Sequence, residues 1–210
     1  MVNHVIDAAR SAGVGETVVV LGHGIDEVRA VVGEDVKIAV QAEQLGTGHA
    51  VMMADEYMGQ EDTIMVLCGD TPLIEAQTLE RFFVFHDEGG YAVSVLTTAV
   101  DDPTGYGRII RDDQDRLVRI VEQKDANAQE RAVKEINSGI YCFNGRFLKE
   151  SLAKVDNNNA QGEYYLPDTI ELIRNAGGLA GAYNGASIEE LMGVNSRLQL
   201  SEAETTMRKR

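Results

Sequence analysis

With 210 residues, 44% of them apolar and 25% charged, the chain is long enough for one sizeable α/β core or two small ones, and no apolar run approaches the length that crosses a bilayer. Nineteen basic residues against 34 acidic ones leave a net charge of −15. A surface of that sign repels phosphate backbones and no basic stripe offsets it, so nucleic acid is excluded as an expected partner, while a phosphate-bearing substrate would call for a divalent cation.

The first residues lack the basic and apolar regions of a secretory leader, which leads to the expectation of a cytoplasmic protein. In chain order, Val2 to Ala12 has helical spacing, Thr17 to Leu21 is a β-branched strand, and Ile25 to Val32 resumes a helical pattern. Lys37 to Val40 is a second strand, Thr47 to Met58 a helix, and Thr63 to Cys68 a strand apolar enough to be buried on both faces. A helix over Leu73 to His86 and a strand over Tyr91 to Val100 complete an alternation that predicts a Rossmann-like, doubly wound, mostly parallel α/β sheet. After Asp101 the rhythm changes: strands at Tyr106 to Arg111, Leu117 to Glu122 and Glu135 to Phe143, with one short helix among them, predict an antiparallel β insertion. Helices at Phe147 to Val155 and Glu163 to Ala176, a strand at Leu179 to Tyr183 and a helix from Asn195 toward Arg210 follow. Cys68 and Cys142 lie in strand-like runs without C-x-x-C spacing, which predicts buried free thiols.

Chemistry is expected at the strand ends. Asp70 follows the most apolar strand, where a carboxylate can meet a metal and can equally cap the next helix. Gln41 to Ala50 also follows a strand; its glycines allow backbone approach to a ligand and its glutamine could read a base edge, but an ordinary strand-to-helix loop capped by Thr47 has the same composition. Gly22-His23-Gly24 lacks the third glycine of a dinucleotide fingerprint, and His23 reads as a turn residue. Asp112-Asp113-Gln114-Asp115 falls between strands without the pattern of a calcium loop and reads as a solvated hairpin. Asn157 to Tyr165 is a polar loop feeding a helix, either structural or facing a substrate. Spacing alone names no reaction.

The combination of loops carries more. Gln41 to Ala50, Leu67 to Leu73, Asp101 to Ile109, Ile120 to Ala126, Glu135 to Gly139, Asn158 to Tyr165 and Gly193 to Arg197 together resemble, in order and over nearly the whole chain, the bifunctional N-acetylglucosamine-1-phosphate uridylyltransferase and glucosamine-1-phosphate acetyltransferase family. The resemblance implies a nucleotide-diphospho-sugar transferase fold and Mg²⁺-dependent transfer of uridylyl from UTP to N-acetylglucosamine 1-phosphate, giving UDP-N-acetylglucosamine, a cell-wall precursor, and pyrophosphate. It implies that Gln41, Gly46 and Thr47 hold the uracil, that Asp70 and Asn195 ligate Mg²⁺, and that Gly107, Glu122 and Asn137 contact the sugar. Where the family often has Tyr, this sequence has Cys68.

The family opens with a strand and a glycine-rich loop bearing the Arg and Lys that embrace the triphosphate, and this sequence starts after them. The acetyltransferase half, in which the family trimerises, is also outside it. The resemblance therefore implies an incomplete nucleotidyltransferase domain over residues 1–194 and the start of a linker helix over 195–210, inactive toward UTP as it stands. The alternative is a non-catalytic remnant that binds UDP-sugar, or a half-domain that joins a partner segment.

Overall fold

The computed structural model describes residues 1–210. Helix α1 (Val2–Ser11) leads into β1 (Val18–Leu21), α2 (Ile25–Arg29), β2 (Lys37–Val40) and α3 (Thr47–Met52), the last followed by a 3-10 turn, Asp55–Tyr57. Next come β3 (Thr63–Val66), α4 (Ala76–Glu88) and β4 (Val93–Ala99). The middle of the chain holds β5 (Arg108–Arg111), β6 (Leu117–Val121), α5 (Ala128–Arg131) and β7 (Glu135–Asn144). Helices α6 (Gly145–Leu152) and α7 (Asp168–Asn175), strand β8 (Ala180–Asn184) and helices α8 (Ile188–Leu191) and α9 (Arg197–Met207) close it. No helix is long and apolar enough to cross a membrane.

The predicted succession of elements is present, but the sheet is not mostly parallel. It is mixed. β1 and β2 pair in parallel as a separate two-stranded sheet, and the remaining strands run in the order β6-β5-β7-β4-β8, with β3 also on β7. Only β4 and β8 are parallel within the larger sheet; β7 is antiparallel to β3, β4 and β5. The physical reason is the length of β7. Its ten residues reach past the insertion into the centre of the sheet, where one edge takes β4 and the other takes β3 and then β5. β3 therefore pairs with β7 alone, and its residues are exposed or half-buried, not buried on both faces as its apolar composition predicts.

Helices do cover both faces of the large sheet, as the double winding predicts. On one face Tyr141 and Phe143 join Val93, Val95, Leu148, Ile170 and Ile173 in a cluster under α6 and α7. On the other, Ile140 and Cys142 pack with Leu96 beneath α1 and α4. The two-residue alternation along β7 thus sends successive side chains to opposite cores. α1 joins the two sheets, because Val5 and Ala9 enter the cluster under α4 while Ile6 packs with Val19 and Leu21 of β1.

β4 carries a register shift between Val95 and Thr97. The Ser138 hydroxyl fills it by donating to the Leu96 carbonyl at 2.6 Å and accepting from the Ile140 N–H at 3.1 Å. At the far end of β7, Glu135 accepts two hydrogen bonds from Arg111, at 2.7 and 2.8 Å, and one from Thr97 at 2.7 Å. Burial pushes the Glu135 carboxyl up, but the hydrogen bonds from Arg111 and Thr97 and the charge of Arg111 outweigh it, so the group sits below its ordinary 4.5. A depressed carboxylate stabilises the fold above the unfolded pKa, and that contribution is lost as pH falls below it. Glu135→Gln is expected to cost about 1–3 kcal/mol at pH 7 and progressively less as pH falls from 4.5 through the folded-state pKa. Urea midpoints measured from pH 7 downward test this, and a loss that stays constant down to the lowest pH at which the fold persists would refute it.

Candidate active site

The metal-binding expectation rests on Asp70 and Asn195, residues far apart in sequence. Asp70 does not cap α4, whose N-cap is Glu75. It lies in a tight turn after β3, closed by Thr71, whose hydroxyl donates to the Cys68 carbonyl at 2.7 Å. The Asp70 carbonyl accepts the Val194 N–H at 2.8 Å, which pins the segment leading into α9 against this turn. α9 holds that segment from the other side: Ser196 caps it through the Gln199 N–H, and Ala203 packs with Leu73 and Val194. A Cβ placed on Gly193 would lie 3.2 Å from Asp70 Oδ2 and 3.3 Å from the Asn195 amide nitrogen. The two side chains therefore converge on one spot, with a glycine between them that leaves room. Asp70 supplies a hard carboxylate oxygen, and a turn of the Asn195 amide about its last bond would bring its oxygen in place of the nitrogen, a donor set of the kind Mg²⁺ takes from a protein.

A second group forms around Gly107. Its carbonyl accepts the Asn137 N–H at 2.9 Å, and an added Cβ would meet Glu122 Oε1 at 2.9 Å and the Asn137 Cβ at 3.3 Å. The structure thus brings together Gly107 at the entrance to β5, Glu122 at the exit of β6 and Asn137 within β7. Asn137 Oδ1 accepts from the Gly139 N–H and the Tyr141 hydroxyl, both at 2.9 Å, which leaves its NH₂ to donate elsewhere. Gly139, at φ +79°, also accepts a hydrogen bond from Cys68. The Cys68–Gly139 contact ties the Asp70 turn to the Asn137 strand. Burial, with Asp70 adding to it, pushes the Cys68 thiol up to about 11, and burial pushes Cys142 to about 12, so neither is a thiolate at neutral pH.

Beside Glu122 opens a cavity of about 210 Å³ lined by Glu122, Asp125, Asn159, Tyr165, Asp168 and their neighbours. Burial, then Asp168 and Asp125, hold the Glu122 carboxyl above its ordinary value, with Arg108 acting in the opposite direction. Burial and three neighbouring carboxylates raise Asp168 to about 6. Such a cavity disfavours added negative charge and suits a neutral, hydroxyl-rich group. Sequence reasoning did not single out Tyr165, Asp168 or Asp125. Tyr165 is 7% exposed and its buried hydroxyl has no hydrogen-bond partner, leaving it available to a ligand. Arg108, 1% exposed, was missed as well; it donates to Gln123 at 2.6 Å and to the Tyr106 carbonyl, and its Nε is unpartnered.

The third group is the loop after β2. Gln41 is buried, and its NH₂ lies 3.1 Å from both the Gly46 carbonyl and His49 Nδ1, which leaves its side-chain oxygen for an outside partner. Gly46 has φ +109°, and a Cβ there would strike the Tyr164 carbonyl at 2.6 Å. Thr47 is the first residue of α3, not its cap, and its hydroxyl accepts the Leu166 N–H at 3.1 Å. His23 sits in the turn before α2, and a Cβ on Gly22 would press on Gln44 at 2.8 Å. Asp112 closes the expected hairpin: hydrogen bonds from Arg116 hold its carboxyl at about 2, away from any of the three groups.

A family model described as nucleotidyl transferase matches residues 1–187. The chain belongs to the nucleotidyl transferase family. Among curated nucleotidyl transferase relatives it is 60% identical over 210 residues to the bifunctional protein GlmU of Clostridioides difficile and 53% identical to that of Caldanaerobacter subterraneus. All of the chain is matched, but it spans 46% of the length of each of these relatives. Two solved structures cover the whole chain at a TM-score of 0.76: a putative glucose-1-phosphate thymidylyltransferase from Bacillus anthracis, at 16% identity, and a UDP-glucose pyrophosphorylase with UDP-glucose, at 15%. These two establish the fold of this nucleotidyl transferase, an α/β architecture on a mixed sheet.

Proposed function

We propose that the chain carries the uridylyltransferase site for N-acetylglucosamine 1-phosphate: an oxygen of the sugar 1-phosphate attacks the α-phosphorus of UTP, UDP-N-acetylglucosamine forms and pyrophosphate leaves. The observation that carries the reading is the convergence of Asp70 and Asn195 on Gly193, one loop contact away from the Gly107–Glu122–Asn137 group. The identity to the GlmU proteins supports it.

Each group has a part. Gln41 offers its side-chain oxygen to the N–H of uracil, and the backbone around Gly46 and Thr47 holds the base. Glu122 accepts hydroxyl donors from the sugar and Asn137 donates to it. The acidic cavity keeps the neutral ring at this end and directs the phosphate toward Asp70 and Asn195. Those two residues would hold Mg²⁺, which would supply positive charge against the phosphates there. No side-chain nucleophile is needed, because positioning and charge neutralisation supply the rate.

Because the proposed groups address the base and the sugar as well as the phosphates, UDP-N-acetylglucosamine is expected to bind more tightly than UTP in the presence of Mg²⁺. Calorimetric titration of the 210-residue protein with each ligand tests this. Tighter binding of UTP, or no difference on removing the sugar, would overturn the assignment of the sugar contacts.

A further inference from the structure

We propose that Asn158–Leu166 is a strap through which an anchor on the sugar side sets the shape of the base-reading loop, with Asp125 as the positioning residue at that anchor. The inference rests on the uridylyltransferase reading and extends it.

The loop in question, residues 41–49, leaves a two-stranded sheet that shares no ladder with the larger one. Gln41 N–H still bonds the Leu21 carbonyl of β1 at 2.8 Å, and beyond it the loop bonds the strap: Tyr164 N–H to the Leu45 carbonyl and Gly48 N–H to the Tyr164 carbonyl, each at 2.8 Å, and Leu166 N–H to the Thr47 hydroxyl. Contact is close enough that a Cβ on Gly46 or Gly48 would lie 2.6 or 2.9 Å from the Tyr164 carbonyl. Tyr165 and Leu166 anchor one end of the strap in the core, but its first half has no apolar burial, since Asn158, Ala160, Gln161 and Gly162 are all exposed. Hydrogen bonds decide its form. Asn159 donates to the Glu163 carbonyl at 2.6 Å and accepts from the Gln161 and Glu163 N–H groups at 3.2 Å.

At the other end the Ala160 N–H donates to Asp125 Oδ1 at 3.0 Å. Asp125 is itself in the turn that follows Glu122, its N–H bonded to the Glu122 carbonyl at 3.0 Å. Hydrogen bonds linked by adjacent residues therefore run from the sugar-side turn, through the strap, to the loop expected to read the base. Cutting the path at Asp125 frees the first half of the strap, which sets how Glu163 and Tyr164 lie against the loop, so the cost appears in a ligand that has no sugar at all.

The probe is UDP with Mg²⁺, titrated against the 210-residue protein and its variants, with a melting curve to verify that each is folded. Asp125→Ala is expected to raise the Kd for UDP about five- to ten-fold, the effect of one lost hydrogen bond to a charged group. Asp125→Asn retains an oxygen that can accept the Ala160 N–H, so its Kd should stay within about two-fold. Asn159→Ala, which loosens the strap without touching Asp125, should reproduce the loss, and Asp112→Ala in the distant hairpin should not. UDP affinity unchanged in Asp125→Ala and Asn159→Ala, with only UDP-N-acetylglucosamine binding weakened, would overturn the strap and leave Asp125 a local sugar contact. An Asp125→Asn variant as weak as Asp125→Ala would overturn the hydrogen-bond anchor. No UDP binding by the unaltered protein would overturn the functional reading itself, a result distinct from either.

Discussion

Asp70→Ala is expected to lower uridylyl transfer by about 10²–10³-fold, with the loss in turnover and little change in substrate affinity. Asp70 is the only charged member of the pair that meets at Gly193, so its removal takes away both an oxygen ligand and the charge that retains the cation. Its backbone contact with Val194 survives the substitution, which keeps the turn in place and makes the effect chemical. Asn195→Ala should be severe but milder, because a neutral amide contributes less to a cation's binding. The assay is pyrophosphate release by an enzyme in which these 210 residues follow a family-type strand and glycine-rich loop. The paired control replaces Asp112 and Asp115, whose carboxylates belong to a solvated hairpin. Activity abolished by that double change and retained in Asp70→Ala would place the metal elsewhere.

Phe143→Ala is expected to destabilise the fold by about 3–5 kcal/mol, enough to unfold a marginal domain near physiological temperature. Phe143 is fully buried on β7, between β3 and β4, and its ring lies 5.6 Å from that of Tyr141 in the cluster under α6 and α7. Truncation leaves a cavity at the centre of the sheet, where neighbours on both sides are fixed by ladder hydrogen bonds and cannot collapse into it. Phe83→Ala, at a position 41% exposed on α4, should change stability by no more than about 0.5 kcal/mol. Urea unfolding of the two variants gives the comparison, and similar losses in both would contradict the placement of the core.

The succession of helices and strands was legible because each element has its own periodicity and its own glycine or polar boundary. Pairing was not. Local patterns mark β7 as a strand, and nothing in them reveals that it passes the insertion and lies antiparallel between β3 and β4. That arrangement depends on contacts such as Met65 with Cys142, distant in sequence. Thr63–Val66 misled for a related reason: an apolar strand suggests burial on both faces, whereas one of its edges has no neighbouring strand. α8 was overlooked although its capping box, Ser187 with Glu190, stands in the sequence. At the site, the family resemblance selected the residues that meet at Gly193 and around Gly107. It gave no individual role to Tyr165 or Asp125, although both lie in segments that carry it, because their significance lies in an unpartnered hydroxyl and a single bond to a backbone amide, which only the folded chain displays.

The central position of β7 also constrains how the chain can be made. β3 leaves the ribosome about 80 residues ahead of its partner segment, Tyr141–Asn144. At roughly 5–20 residues per second, that interval is on the order of 4–16 s. Throughout it, Ile64, Met65 and Val66 belong to a strand with no partner on either edge, while β1 and β2, whose paired residues such as Val18 and Lys37 are far closer in sequence, can already have paired. The nascent chain thus carries an adhesive apolar strand until synthesis reaches Asn144, and this is the window in which a chaperone or a slower codon run would have most influence on yield.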